Sequence, residues 1–276
     1  MIDEERLDKH FLYYALNSEA YRAQVRGSAT GATVRHTAPE RIYRCRIKLP
    51  SPADQRAIGQ TPKSYDDLIA NNRRRIELLE QATRLLFKEW FVRLRYPGHE
   101  HDKIAGVVPT GWRSSTVEAV CRDFIDGDWL ETKDQGGDAF RILQISNIGE
   151  NSFVETGNFR YITDETFRRL NCTEVAPGDT LISRMPEPIG RAWMVTPQPW
   201  RMVTAVDVTI ARPDPDQVEP FYFLHHLNSS IHLARCATRA TGATRPRIAK
   251  RVMGALPIMV SQRLADGLRR LCLCKQ

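Results

Sequence analysis

The chain has 276 residues, of which 42% are hydrophobic and 26% charged, and this ordinary globular composition excludes intrinsic disorder over most of its length. Lys and Arg number 40 against 33 Asp and Glu, so the formal net charge is +7. No apolar run approaches the roughly 18 residues that a membrane-spanning helix needs. The acidic N-terminal sequence lacks the apolar region of a signal peptide, so we expect a cytoplasmic protein.

The six cysteines are scattered along the chain and lack the paired spacing of a zinc-binding motif. His225, His226 and His232 share one predicted helix, without a further ligand that would complete a metal site. We therefore expect reduced, structural cysteines, histidines in the core or at the surface, and no bound metal.

The first predicted element is an aromatic-rich helix over residues 8–25, followed by an Ala-Thr-Gly-Ala-Thr turn at 29–33 and a basic segment. Residues 20–53 carry seven Lys and Arg against a single acid, Glu40. Clustered cations repel one another unless an anion compensates them, and a nucleic-acid backbone is the usual compensating partner. A solvated basic face is the alternative.

Residues 64–92 contain no Pro or Gly, and seam positions recur at alternating spacings of four and three, as in a coiled coil. We predict a helix of about 40 Å with Ser64 as its N-cap. Gly59 and Pro62 are expected to interrupt it upstream. The residues predicted to contact another helix or subunit are Ile69, Asn72, Ile76, Leu79, Leu86 and Trp90. Packing of this helix on its own domain is the alternative.

A loop-rich linker over residues 97–111 precedes a segment with short β-rich runs, which glycines and prolines separate. The predicted strands cover 141–145, 160–163, 180–183, 193–196 and 206–210. They form a mostly β module over about 110–260, closed by an aromatic helix at 219–237. The predicted fold class is therefore α+β, a mostly β domain with closing helices attached to a long coiled-coil-like helix.

One supersecondary piece occurs twice. A shift of 211 residues places the Ala-Thr-Gly-Ala-Thr sequence at 29–33 on the same sequence at 240–244, and Leu-Asn-Ser at 16–18 on Leu-Asn-Ser at 227–229. The second copy is also basic, since residues 220–265 contain seven Lys and Arg and no acid. Such a Gly- and Thr-rich turn leaves backbone N–H groups free to meet a phosphate or a base edge.

Together these features resemble the specificity subunit of type I restriction–modification systems. Residues 108–112 are similar to the Pro-x-Gly-Trp that opens a target-recognition domain in this family, and residues 176–184 followed by 189–191 are similar to its Gly-Asp hairpin. The sequence at 49–58 resembles the motif that leads into the family's spacer helix. Residues 86–91 resemble the end of that helix, and residues 221–229, 240–247 and 256–258 resemble the close of the domain.

The resemblance implies a DNA reader without catalysis of its own. Its implied partners are double-stranded DNA, modification subunits that methylate adenine and a restriction subunit that cleaves. S-adenosylmethionine, ATP and Mg²⁺ would be bound by those partners and not by this chain. Self-association through the spacer helix is a further expectation.

The resemblance also implies a division of the chain. Residues 1–50 match the end of a first recognition domain, 51–96 a spacer helix, 97–260 a full recognition domain and 261–276 the start of a second spacer helix. Family members have two full domains and two spacer helices, so the chain resembles a subunit truncated at both ends. It is then either a fragment or a half-subunit that dimerises.

The residues predicted to contact DNA are those of types that match base edges or phosphates. They are Asn147, Arg184, Arg191, Thr244, Arg245, Arg247 and Lys250. No dinucleotide-binding, Walker or methyltransferase motif is present, so we expect no catalytic residues. Two other hypotheses remain open, namely a subunit-docking module that has lost DNA recognition and a free-standing nuclease.

Overall fold

The computed structural model describes residues 5–102, 104–105, 108–109 and 111–261. The chain divides into two compact units, Met1–Thr83 and Arg84–Gln276. The predicted start of a second spacer helix at 261–276 lies almost wholly outside the described residues. Within them, no helix has the length and the hydropathy that crossing a membrane requires.

The α-helices of the described residues follow in chain order. They are α1 (Lys9–Asn17), α2 (Glu19–Ser28), α3 (Pro39–Tyr43), α4 (Pro52–Phe87), α5 (Asp164–Arg169), α6 (Pro220–Leu227), α7 (Ser230–Arg239) and α8 (Lys250–Gly254). A π-helical turn at Lys88–Val92 follows α4.

The strands lie in the second unit. They are β1 (Ile104–Ala105), β2 (Val108–Pro109), β3 (Trp112–Thr116), β4 (Cys121–Asp126), β5 (Phe140–Leu143), β6 (Tyr161–Ile162), β7 (Thr180–Ser183), β8 (Ala192–Met194), β9 (Arg201–Thr204), β10 (Val208–Pro213) and β11 (Pro257–Ser261). This confirms the predicted α+β fold with a long helix.

Four sheets organise these strands. The largest is antiparallel with the order β4-β10-β7-β8, and a three-stranded sheet has the order β6-β5-β9, in which β5 and β9 are parallel. β11 pairs antiparallel with β3, so the end of the described chain closes onto the start of the domain. The remaining pair is β1 with β2.

Helix α4 begins thirteen residues earlier than predicted, and Gly59 and Pro62 do not interrupt it. The side-chain oxygen of Ser51 accepts a hydrogen bond from the backbone N–H of Asp54 at 3.2 Å, and Pro52 takes the first helical position, where its missing N–H costs nothing. Its 36 residues correspond to about 54 Å at 1.5 Å per residue. Ser64 is therefore an interior residue of the helix and not its N-cap.

The repeat seen in the sequence is a repeat of structure. A shift of 211 residues carries α2 onto α7 and α3 onto α8. In each copy one pair of reciprocal backbone hydrogen bonds closes the turn, between Thr30 and His36 at 2.8 and 2.9 Å, and between Thr241 and Arg247 at 2.9 Å in both directions.

Each predicted aromatic helix is in fact two helices. The break falls at Ser18 in the first copy and at Ser229 in the second. Both serines have extended backbone angles, and their hydroxyls accept from the N–H groups of Tyr21 and His232. A serine in this role ends one helix and caps the next, which the aromatic periodicity alone did not reveal.

The core of the second unit joins the closing helices to the large sheet. Phe223, Leu227 and Ile248 are fully buried among the apolar side chains of this cluster. The end of α4 adds Phe87 and Phe91, whose rings lie 5.6 and 4.4 Å from the ring of Tyr222. The second copy of the repeat is therefore an integral part of the β domain.

Candidate nucleic-acid interface

Residues 240–250, here called the closing loop, have a fixed shape. The hydrogen-bonded pair Thr241 and Arg247 closes the loop. Gly242 has φ +107°, and a Cβ atom at this position would lie 3.0 Å from the carbonyl oxygen of Arg245. Both facts require glycine, which explains its place in the repeated sequence.

The closing loop is attached to one end of the large sheet. The N–H of Ile248 donates to the carbonyl of Arg184 at 3.2 Å, and the N–H of Arg184 donates to the carbonyl of Asp207 at 3.0 Å. Arg184 directly follows β7, and Asp207 directly precedes β10. The loop is thus anchored on rigid strands while its tip stays at the surface.

Three cations meet two carboxylates at this point. The guanidinium of Arg184 lies 3.2 Å from Asp126 and 3.9 Å from Asp207. Arg247 Nε lies 2.7 Å from Asp207 Oδ1, and Lys250 Nζ lies 3.8 Å from Asp126 Oδ2. We call Arg184, Arg247 and Lys250 the cation cluster. The cation cluster carries one charge more than the two carboxylates that it meets.

The members of the cation cluster differ in burial. Arg184 is only 3% exposed, and it also donates to the carbonyl of Val206. Burial lowers the pKa of its guanidinium, while Asp126 raises it. The side chains of Arg247 and Lys250 are 45% and 33% exposed. Arg184 is therefore the buried member of the cluster, whereas the side chains of Arg247 and Lys250 reach the solvent.

The tip of the closing loop supplies the remaining predicted contacts. Thr244 and Arg245 are both exposed. Arg245 makes no ion pair with any described residue. A fixed loop that carries an exposed hydroxyl and unpaired positive charge suits phosphate contacts.

Two predicted DNA contacts, Asn147 and Arg191, lie in the interior instead. Asn147 is 1% exposed, accepts from the N–H of Gln144 at 3.0 Å and donates to the carbonyl of Val154 at 2.9 Å. A side chain so enclosed does not face a groove of DNA, so base contact by Asn147 is not supported.

Arg191 has a bracing role. Its guanidinium donates to the carbonyls of Ile148, Ile145 and Pro186 at 2.6, 2.8 and 2.5 Å. Burial lowers its pKa. Since its donors are turned inward, it holds the 185–188 loop beside Arg184 and does not itself read bases.

The predicted subunit-contact residues lie mainly at the surface of α4. Ile69, Asn72, Ile76, Leu79 and Leu86 are exposed, and Leu79 is 67% exposed. Trp90, in the π-helical turn, is half-buried and contacts the ring of Phe91 at 6.3 Å. The seam residues of α4 therefore form a solvent-exposed apolar stripe, whereas Trp90 packs against Phe91.

Of the histidines on the closing helices, His232 is buried in the core, whereas His225 and His226 are partly exposed. The rings of His226 and His232 lie 5.2 Å apart, edge to face. Burial lowers the pKa of His226 to about 4 and of His232 to about 3. Among the described residues, no three His, Cys, Asp or Glu side chains are grouped to hold a metal ion.

Asp126 and Asp207 are functional candidates that the sequence did not reveal. Asp126 ends β4 and Asp207 directly precedes β10, and only the fold brings both to the cations. The sequence did contain one indication. Because residues 220–261 have no Asp or Glu, any carboxylate that pairs with their cations has to come from another part of the chain.

No family model matches the chain. Over 116 residues, 41% of this chain, it is 26% identical to the type I restriction enzyme MjaIX specificity subunit of Methanocaldococcus jannaschii. The match spans only 27% of that relative's length.

Two solved structures align with nearly all of this chain. The type I restriction–modification S subunit of M. genitalium aligns with 99% of this chain and 68% of its own, with a TM-score of 0.55 and 17% identity. The HsdS subunit of Thermoanaerobacter tengcongensis aligns with 98% of this chain and 64% of its own, with a TM-score of 0.45 and 20% identity.

Over part of its length the chain is thus similar in sequence to a type I restriction enzyme specificity subunit, and over nearly all of it the fold is that of the M. genitalium S subunit.

Proposed function

We propose that this chain is a sequence-specific DNA-binding specificity subunit of a type I restriction–modification complex. The observation that carries the proposal is the closing loop, a hydrogen-bonded basic loop held on the end of a sheet, in which Arg245 and Arg247 are both exposed to solvent. Positive charge on a fixed scaffold is the electrostatic footprint of a DNA-binding protein.

The exposed charge also distinguishes this function from pure subunit docking. A docking module that had lost DNA recognition would have no use for Thr244 and Arg245 at the tip of an ordered loop, or for the exposed Arg247 at its base. Retained order and exposure at these positions favour DNA recognition.

Partner subunits complete the proposed activity. Modification subunits would methylate adenine with S-adenosylmethionine, and a restriction subunit would cleave with ATP and Mg²⁺. This chain would supply no catalytic residue and bind none of these cofactors itself. The exposed stripe of α4 would pack against a second helix, from another subunit or a second copy of this chain.

Neutralising the loop tests the proposal. We expect the triple variant Arg245→Gln, Arg247→Gln, Lys250→Gln to bind duplex DNA at least tenfold more weakly than the wild-type chain. Its plot of log affinity against log salt should be shallower by up to about 0.9 for each phosphate that the variant no longer neutralises. Fluorescence anisotropy with a labelled duplex over a salt series measures both.

A matched variant checks that the effect is local. Arg168→Gln removes an exposed cation from α5, outside the closing loop, and should leave affinity and salt slope close to wild type. If Arg168→Gln, which removes one charge, lost a third of the log affinity that the triple variant loses with three, only net charge would matter. The proposed interface would then be wrong.

A further inference from the structure

The loop at 127–131, directly after β4, presents an exposed indole beside the cation cluster. Trp129 is 70% exposed. Asp126, the last residue of β4, pairs with both Arg184 and Lys250. Since consecutive Cα atoms are 3.8 Å apart, the Cα of Trp129 lies within about 11 Å of that of Asp126.

The loop is fixed before Trp129. The N–H of Gly127 donates to the carbonyl of Val208 at 2.8 Å, and the N–H of Asp128 donates to the carbonyl of Thr204 at 2.9 Å. A Cβ atom at Gly127 would lie 2.1 Å from the carbonyl oxygen of Ala205, so the strand backbones approach too closely for any side chain.

The loop is also fixed after Trp129. The N–H of Glu131 donates to Asp134 at 3.1 Å, which caps a turn of 3₁₀-helix. Asp134 is buried and pairs with Arg169 at 2.6 Å. Trp129 therefore stands on a segment whose conformational entropy is already lost, which favours binding.

The fold makes little use of this indole. The neighbouring Leu130 packs against the apolar cluster around Phe140, so the loop's contribution to the core comes from Leu130. Trp129 makes one peripheral hydrogen bond, from Nε1 to Glu131 at 3.3 Å. A rigidly held, exposed tryptophan that does not stabilise the core is typical of a binding contact.

We propose that Trp129 contacts the DNA bases, by apolar contact with a thymine methyl group, in the same interface as the closing loop. The proposal rests on the proposed function. The cations close by would bring the phosphate backbone to this end of the sheet, and an indole at the edge of such a surface then meets bases. Because the contact involves bases and not phosphates, it contributes to specificity and leaves the salt dependence unchanged.

The test compares Trp129→Ala and Trp129→Phe in the full chain. The probes are a duplex selected by the wild-type chain from a pool with a randomised centre, and the unselected pool. We expect Trp129→Ala to bind the selected duplex at least tenfold more weakly and the pool almost normally. Trp129→Phe should restore most of the affinity, and the salt slope should match wild type.

Fluorescence gives a second measurement. The selected duplex should change the indole emission of the wild-type chain more than that of Trp129→Phe, since contact with DNA moves an exposed indole out of water. Phe221→Ala is the matched control, because Phe221 is also an exposed aromatic residue but lies at the start of α6. It should bind both probes as the wild type does.

The outcomes separate this inference from the proposed function. If Trp129→Ala binds the selected duplex as tightly as the wild-type chain, and DNA changes the emission of the wild-type chain and of Trp129→Phe equally, the role of Trp129 is overturned. The proposed function would not be affected by that result. A Trp129→Ala variant that binds DNA normally but no longer co-purifies with a modification subunit would assign the indole to a protein interface instead. A wild-type chain that shows no salt-dependent binding to any duplex overturns both proposals.

Discussion

At the scale of single residues, the second unit uses buried charge for structure as well as for function. Arg141 is 2% exposed and bonds both oxygens of Glu155, at 2.8 and 2.9 Å. Its guanidinium carbon lies 4.7 Å from the ring centroid of Phe159 and 4.8 Å from that of Trp200. Arg184 and Arg191 are likewise enclosed, so in this protein an arginine in a β-rich sequence is a poor guide to DNA contact.

Two histidines of the closing helices predict a dependence of stability on pH. His226 and His232 are neutral when folded, whereas their pKa in the unfolded chain is about 6.5. As pH falls from about 6.5 towards 4, the unfolded state takes up protons that the folded state does not. The free energy of unfolding should therefore fall by roughly 1.4 kcal/mol per pH unit for each histidine. Asp128, whose pKa burial raises to about 6, opposes part of this loss.

His232→Leu isolates the effect. Neither ring nitrogen of His232 has a hydrogen-bond partner among the described residues, so the change removes no described hydrogen bond. The variant should lose less stability than wild type between pH 6.5 and pH 4. Urea unfolding, followed by the five tryptophans that all lie in the second unit, measures it. Parallel losses in the two proteins would contradict the assignment.

At the scale of elements, the same closing piece occurs in two environments. In the second unit its helix α6 buries Leu224 and Leu227, whereas Tyr13 and Leu16, the equivalent residues of the first copy, are exposed. The two copies also differ in the side chains that their packing allows. A Cβ atom at Gly254 would lie 2.7 Å from the side chain of Glu118, whereas the first copy has Tyr43 at the equivalent position.

The exposed stripe on α4 predicts association. Ile76→Asp and Leu79→Asp together should abolish assembly through this helix, because a charge in an apolar seam loses its hydration on packing. Sedimentation of the chain, alone and with modification subunits, measures the change. Arg74→Ala, on the same helix but outside the seam, should assemble as wild type does. The prediction would be contradicted if the wild-type chain is a monomer and the double variant assembles with modification subunits as well as the wild-type chain does.

Helices and strands were predicted correctly where the local sequence determines them, and wrongly where contacts between distant residues do. The strand at 180–183 follows from its β-rich run, and the structure gives the same bounds. The predicted start of α4 is wrong, because it rests on the poor helix propensity of Gly59 and Pro62. Gly59 is buried against the backbone of Phe11, and packing there compensates the poor propensity.

At the scale of the whole molecule, the candidate interface combines parts that are distant in sequence. Asp126, Arg184, Asp207 and Lys250 come from three strand ends and the closing loop. Sequence reasoning found the basic loop, since its charge pattern is continuous. It missed the acids and Trp129, because nothing in their local sequence distinguishes them from ordinary turn residues.

Selection from a duplex pool with a randomised centre shows whether this chain recognises a particular DNA sequence. We predict that the full chain enriches one recurrent sequence over successive rounds. Its affinity for that sequence should fall steeply between about 50 and 200 mM salt. A pool that stays random after selection, or binding that is insensitive to salt, would contradict the account.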